Sequence, residues 1–435
     1  MSESLDILGS AQTFGFGAIA EMAAIEGAFQ EEFPDRDLNC YLLDDPKLRV
    51  VLDGERNSFR LLEPLKEREN NLEALLTRDI PSTIDMVVSS YDTAAVFYGW
   101  FQHKPTYYYD GMLWFWDFDS YKEEIPALME QLKEIKSRKD EQALKEFYQK
   151  CLERDFHLTV ILAYHLADQV YARNATQVPE KLQSFPEFAK KTQIVGSVID
   201  PRFTSQPKDR QDHVLVSLSG SLAPLISLEQ NLTFARGALT YALEGFDILS
   251  TKTPWYFSCH PKIHSALSGE NPKLPEGFNL VPSFPYTQNL DMIRRAHVLI
   301  VSPGFSSVQE AACFQTPISF LPEQNGGQPT GFCTLRDAGY PTDTNLTVTH
   351  HLYDGEIQIG EYDVDRLYDG ISTLWSPEMA GTRRETLQNL DKILTDQTLL
   401  SEYVMRQREA VSKIIGGFDG AKKIAQGIKN HFTQQ

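Results

Sequence analysis

A chain of 435 residues exceeds what one ordinary hydrophobic core organises, so two or three domains are expected. Forty-one basic against 60 acidic residues leave a formal charge of −19, which repels nucleic acid and anionic membrane surfaces and argues against both as partners. No apolar run approaches the roughly 18 residues of a membrane span, and the N-terminus lacks the basic-then-apolar order of a signal peptide, which points to a soluble cytoplasmic protein.

Leu5 to Gly9 reads as a short strand, 10–17 as a glycine-bearing loop, and Ala18 to Phe29 as a helix with a close-packing face of Ala20, Ala23, Ala24 and Ala28. That order opens a doubly wound α/β domain. Arg49 to Asp53 and Phe59 to Leu62 read as further strands, and Glu63 to Thr77 as an amphipathic helix. Ile84 to Ser89 is a buried strand that ends in Ser90-Tyr91-Asp92, with a helix from Thr93 to Gln102 behind it. Thr106 to Tyr109 is the next strand and ends at Asp110. Asp92 and Asp110 thus each follow a strand end on one sheet edge. Either is a helix cap or turn aspartate, or a general base tuned by partial burial. The aromatic stretch Gly111 to Phe118 is core, or a wall that stacks on a ligand. Tyr121 to Arg154 reads as one or two surface helices, and Ile194 to Val198 as a strand. The segment 200–212, with Pro201, Pro207 and clustered charges, is the clearest linker.

A second series starts at His213, with a strand through Leu218 and the small-residue loop Ser219-Gly220-Ser221. Thr233 to Leu243 reads as a helix, and Trp255 to Ser258 as a strand ending at Cys259-His260-Pro261. His260 and His264 stand at i, i+4 without a third ligand, which favours capping or surface roles over a metal. Phe278 to Pro282 is a strand leading into Ser283-Phe284-Pro285-Tyr286. An amphipathic approach, Asn289 to Ala296, enters the buried strand His297 to Val301, the turn Ser302-Pro303-Gly304-Phe305-Ser306-Ser307, the helix Val308 to Phe314 and the strand Ile318 to Leu321. Where a parallel strand hands over to a helix, free N–H groups and the positive end of the helix dipole favour an anion. Ser307 and Glu310 also have the spacing of a capping box, which would satisfy those groups internally. Met379 to Phe432 is largely helical, with a break at Gly416-Gly417. The five cysteines (Cys40, Cys151, Cys259, Cys313, Cys333) form no C-x-x-C pair and fit reduced thiols.

The run from Ser302 to Glu310 resembles the nucleotide-sugar signature of glycosyltransferases with the GT-B fold. Gly304, Ser307, Glu310 and Pro317 match it, while Ser302 stands where that family has a diphosphate-contacting histidine. The passage Ile84 to Phe118 is also similar, more faintly, to nucleoside-antibiotic glycosyltransferases of the cytosylglucuronate synthase type. The resemblance implies two doubly wound, Rossmann-like α/β domains facing a cleft. The first, 1–205, would bind the acceptor and carry a helical insertion at 121–154. The second, 212–400, would bind the nucleotide sugar, and helices in 401–435 would brace the first domain.

The reaction implied is an inverting, metal-independent transfer from a nucleotide sugar, most simply a UDP-sugar, to a small-molecule acceptor, with no cofactor besides the donor. Ser219, Gly220, Ser302, Gly304, Ser306 and Ser307 would meet the diphosphate, Glu310 the ribose, and Phe284 or Tyr286 the base. Gln328-Pro329-Thr330 is similar to the Asp-Gln-Pro-x-Asn that holds the donor sugar; Gly327 replaces the Asp, leaving Glu323 or Asn325 to supply that group. The family's first loop carries a histidine base after a glycine, whereas Ala18 follows Gly17 here. Asp92 or Asp110 would then be catalytic. Asp363-Val364-Asp365 reads as a helix cap rather than a metal motif. Nucleotide-sugar 2-epimerases share the fold and are one alternative; an inactive binding protein derived from it is another.

Overall fold

Short runs rich in Val, Ile, Leu and Tyr bury both faces of their strands, and such strands assemble as parallel sheets covered on both sides. The computed structural model describes residues 4–12, 17–52, 59–64, 70–175, 177–204, 213–218, 222, 226–353 and 364–434. Two units result: Met1–Arg202 together with Ile415–Gln435, and Phe203–Ile414.

In the first unit the strands are β1 (Ser4–Ala11), β2 (Asp37–Asp44), β3 (Phe59–Pro64), β4 (Met86–Ser90), β5 (Thr106–Asp110), β6 (Gln169–Arg173) and β7 (Thr192–Val195). They form one parallel sheet in the order β3-β2-β1-β4-β5-β6-β7. The order reverses direction between β1 and β4, so the carboxyl ends of those two strands flank a topological switch point. Helix Gly17–Glu32 follows β1 and buries Ile19, Met22, Ala23, Ala24 and Ile25, as its alanine face requires.

Several elements differ from the sequence reading. Arg49 to Leu52 is not a strand: helix Pro46–Val51 occupies most of it, with Leu48 and Val51 buried, and Asp53 lies outside the described residues. The strand in that region is β2, whose Asp37, Asn39 and Asp44 interrupt the apolar run and hid it. The expected helix Glu63 to Thr77 is seen as Asn71–Thr77, capped by Asn70, with 65–69 outside the described residues. Helix Phe156–Leu166 and β6 had no counterpart in the sequence reading. That helix is apolar on every side, so it shows no amphipathic period. The polar stretch after Tyr121 forms two helices, Ile125–Arg138 and Glu141–Arg154, separated by Lys139 in the left-handed conformation and Asp140 as the next N-cap. The linker segment begins as a short helix, Pro201–Thr204, tied down by the Arg202–Asp200 pair; 205–212 lie outside the described residues.

The second unit has β8 (His213–Ser217), β9 (Trp255–Cys259), β10 (Phe278–Pro282), β11 (Ala296–Val301) and β12 (Ile318–Phe320) in the parallel order β10-β9-β8-β11-β12. Its switch point lies between β8 and β11. Beyond Pro322, Gly327–Asp337 is a helix and carries Gln328, Pro329 and Thr330 in its first turn. Helix Gln397–Ile415 belongs to this unit up to Ile414: Gln407 bonds Ile318 of β12 from both ends of its amide, and Tyr403 donates to the Ile318 carbonyl. Gly416 and Gly417, with φ of +73° and +130°, then turn the chain in a way only glycine adopts without strain. The last helix, Gly420–Phe432, packs on Gly17–Glu32 and the end of β7 in the first unit. Among the described residues no helix is long and apolar enough to cross a membrane.

That last packing depends on missing side chains. A Cβ on Gly420 would stand 2.3 Å from the Gly196 carbonyl oxygen, whereas one on Gly381 would meet nothing within 4 Å. Gly420→Ala is therefore expected to cost about 1–3 kcal/mol through overpacking. Gly381→Ala, in the helix Ala380–Thr395, should instead stabilise by up to about 1 kcal/mol. Urea unfolding of the two variants checks the opposite signs.

Candidate functional site

In the second unit, Val301 ends β11 in register with Ser217 of β8, at the switch point. The turn Ser302-Pro303 follows, and helix Phe305–Phe314 starts with Gly304 as N-cap. Ser307 is therefore the third residue inside the helix, and the Ser307–Glu310 capping box does not form. Among the described residues no side chain caps this helix. The half-buried Ser306 and Ser307 sit in its first turn, and Glu310 is buried on the next. Nothing obstructs Gly304: a Cβ there would lie 3.6 Å from Nε2 of Gln328, its nearest neighbour. The Gln328 carbonyl oxygen accepts from the Gln324 N–H at 2.5 Å, which fixes the amide with its NH2 toward the Gly304 turn. Gly304 and Gln328, 24 residues apart in the chain, thus meet at one sheet edge.

Other expected ligand contacts fall differently. The Ser302 hydroxyl is buried and donates to the Pro322 carbonyl at 2.7 Å, so its only proton is committed to joining two turns rather than to a diphosphate. Glu323 is fully buried and accepts from the N–H groups of Val348 and Thr349, capping helix Val348–Leu352; burial pushes its carboxyl up, and it does not replace the missing Asp. Asn325 accepts from Gly327 N–H and holds the turn before its helix. Phe284 is half-buried in the turn after β10, while Tyr286 is buried in the following helix, leaving Phe284 as the more open ring. Ser219, Gly220 and Asp363 lie outside the described residues. His260 caps helix Pro261–Gly269 by accepting from Lys262 N–H, and among the described residues no group of three His, Cys, Asp or Glu could hold a metal.

In the first unit the ends of β1, β4, β5 and β6 lie side by side, Ala11 beside Ser90 and Asp110 beside Ala172. Asp92 is the N-cap of helix Thr93–Phe101: Oδ1 accepts from Ala94 N–H at 3.0 Å, and Oδ2 from Ser10 at 2.5 Å and Asn71 at 2.8 Å. Burial raises its carboxyl pKa, and these donors oppose the rise. Asp110 is fully buried. Its Oδ1 accepts from Met112 N–H at 2.7 Å, and its Oδ2 from Trp116 Nε1 at 2.8 Å and the Tyr164 hydroxyl at 2.9 Å. Desolvation pushes it up to about 6 against those bonds. Both carboxylates are under 3% exposed.

The aromatic stretch divides. Leu113, Trp116 and Phe118 enter the core, whereas Phe115 is 48% exposed and lies edge-on to Trp114, Trp116 and His157. The half-buried Lys181 donates to the carbonyls of Leu113, Trp114 and Trp116 and pins this loop. Sequence reading missed the residues that serve the two carboxylates. Ser10 and Asn71 are ordinary polar residues with no motif. Glu21 and Arg173 are buried and paired at 2.9 Å. A glutamate within the alanine-rich face of its helix, and an arginine closing an apolar strand, were the available signals.

No family model and no curated protein matches the chain. Solved structures do. A protein described as a UDP-N-acetylglucosamine 2-epimerase from Listeria monocytogenes aligns over 99% of this chain and 97% of its own, at 13% identity and a TM-score of 0.52. The S. aureus MnaA–UDP complex aligns over 99% and 98%, at 12% identity and the same score. UGT2 of Phytolacca americana, complexed with UDP-2-fluoroglucose and pterostilbene, covers 99% and 100% at 11% identity and 0.49. The first two likenesses establish the fold: it is of the GT-B type.

The buried Asp110 makes a pH-dependent contribution whose sign is fixed. Its folded pKa lies above the ordinary carboxylate value, so its stabilisation is full below about pH 4 and lost as pH rises through about 6. The unfolding free energy of the wild type minus that of Asp110→Asn is expected to fall across this window, by roughly 3 kcal/mol at most. Urea titrations at pH 4 and pH 7 measure it.

Proposed function

We propose that this chain is an enzyme acting on a nucleotide sugar, most directly a UDP-sugar, whose glycosyl group it moves to a small-molecule acceptor with inversion. One observation carries the reading. The helix Phe305–Phe314, which no side chain among the described residues caps, starts at the switch point of the second unit's sheet, and the Gln328 amide is turned toward its N-terminus. The N–H groups of a helix's first turn and the positive end of its dipole suit a diphosphate. They also stabilise the charge that gathers on the diphosphate as the glycosyl bond breaks, which is preorganised electrostatic catalysis. Ser306 and Ser307 add hydroxyl donors in the first turn, Glu310 faces the ribose hydroxyls, Phe284 stacks on the base, and Gln328 holds the sugar. Ser219 and Gly220, which lie outside the described residues, would join the diphosphate contacts as the sequence resemblance implies.

For the proton of the acceptor, the geometry favours Asp110 over Asp92. Asp92 already accepts from Ser10, Asn71 and the backbone of Ala94 and Ala95. Asp110 accepts three bonds, so one acceptor position is left, and a pKa of about 6 suits a base working near neutrality.

A second reading, 2-epimerisation of the nucleotide sugar, is supported by the shared fold of the Listeria monocytogenes protein described as such an epimerase. Incubating the protein with UDP-N-acetylglucosamine alone separates the two by proton NMR. Conversion to the 2-epimer without an acceptor would favour epimerisation, and an intact donor would favour transfer.

Binding itself is tested by thermal shift with UDP, GDP, dTDP and CDP, each with and without chelator. UDP at a hundred times its dissociation constant is expected to add about 2.7 kcal/mol and raise Tm, and Glu310→Ala should reduce that gain. A flat response to every nucleotide would remove the nucleotide-sugar reading altogether.

A further inference from the structure

A buried ion pair beneath the first unit's carboxyl edge touches both carboxylate loops. Arg173, the last residue of β6, pairs with Glu21 of helix Gly17–Glu32 through Nη1 at 2.9 Å. Its Nη2 donates at 2.8 Å to the carbonyl of Gly111, the residue directly after Asp110. Glu21 also accepts from the hydroxyls of Tyr109, at 3.2 Å, and Tyr91. Tyr91 directly precedes Asp92 and has a φ of +62°. An aromatic residue rarely adopts that left-handed backbone, and it persists only where surrounding contacts over-determine it. Here they do. The Tyr91 N–H extends the ladder to the Tyr109 carbonyl, and its phenol lies so close over Gly111 that a Cβ there would stand 1.8 Å from the hydroxyl.

We infer that the Arg173–Glu21 pair and Tyr91 form a positioning device that locks the loop after β5, and with it Asp110, to the loop after β4. Core packing alone would need neither an ion pair in this place nor a strained tyrosine. Both features converge on Gly111, the single residue whose carbonyl and missing side chain the device grips. The role assigned to Asp110 in catalysis rests on the enzyme reading above, but the grip on its loop does not. The charged and titratable groups around Asp110 are Tyr164 from helix Phe156–Leu166, Tyr108 from its own strand, Arg173, Tyr91, Glu21, and Lys181 from helix Val178–Ser184.

Trp116 provides a readout that needs no substrate, because its indole N–H donates to Asp110 Oδ2. In the full-length protein labelled with 15N-tryptophan, the Trp116 indole signal is assigned by its loss in Trp116→Phe and followed from pH 4 to pH 8. The wild type should titrate near 6. Arg173→Met removes the cation that favours the charged carboxylate and should raise the midpoint by about one pH unit. Tyr91→Gly relieves the backbone but removes the phenol that donates to Glu21 and covers Gly111, so Tm should fall; it also opens the loop to water and should lower the midpoint toward the ordinary carboxylate range. Midpoints unchanged in both variants would overturn the inference. If Arg173→Met does not fold, Tyr91→Gly decides alone, and an unchanged midpoint there overturns it. Where turnover is measurable, Tyr91→Gly should lower kcat at least tenfold with the donor KM unchanged. Absent nucleotide binding together with the opposed shifts would sink the enzyme reading and leave the device standing.

Discussion

Every strand pairing in both sheets is parallel, and this constraint organises the molecule. A parallel pair cannot be closed by a hairpin, so consecutive strands of each sheet are joined by crossovers that carry the chain back across a sheet face. All carboxyl ends therefore lie along one edge of each sheet, and helices begin there. The helix N-termini, the turn residues and the polar residues that end the strands collect at that edge without any motif having to specify it. The centre of each sheet, where the order reverses, is the place where two such turns diverge and leave room for a ligand.

The two units use the edge in opposite ways. In the second, Gly304 lacks a side chain, Ser302 is committed to Pro322, and among the described residues no side chain caps the helix behind them, so no capping group offsets the positive end of its dipole. A polarity of that kind suits an anion. In the first unit the edge is closed by its own groups. Asp92 caps its helix, Asp110 is ringed by Met112, Trp116 and Tyr164, and the only buried cation beside them, among the described residues, is Arg173. A buried pair such as Arg173–Glu21 rarely adds net stability over well-packed apolar residues, because desolvating two charges offsets their attraction. Its value here lies in geometry: a guanidinium fork holds a carboxylate and a backbone carbonyl in fixed directions.

Much of this could be read from the chain, and the failures have common causes. The turn at Gly304, the strands around it and the strand-end positions of Asp92 and Asp110 were visible, because short apolar runs bounded by Ser, Pro, Gly and Asp mark where buried strands stop. β2 and β6 were missed because polar residues interrupt the first and an all-apolar helix precedes the second, so neither shows a clean period. Missing β6 removed Arg173 from view and with it the charge nearest Asp110. Ser302 and Glu323 looked available for a ligand. Their actual partners, the Pro322 carbonyl and the N–H groups of Val348 and Thr349, are 20 and 25–26 residues away, and no local pattern announces them.

The sequence by itself determined the α/β class, the alternation of buried strands with helices and the residues at which strands hand over to helices. These follow from local composition: β-branched and aromatic runs favour strands, and glycine, proline and aspartate end them. The tertiary structure alone decided which polar groups remain open to a ligand. Hydrogen-bond satisfaction is set by neighbours distant in the chain, and burial decides whether a carboxylate stays charged. Ser302 and Ser306, four residues apart, show the difference: one hydroxyl is buried against a carbonyl from the next strand's turn, and the other remains in the first turn of a helix that no side chain among the described residues caps.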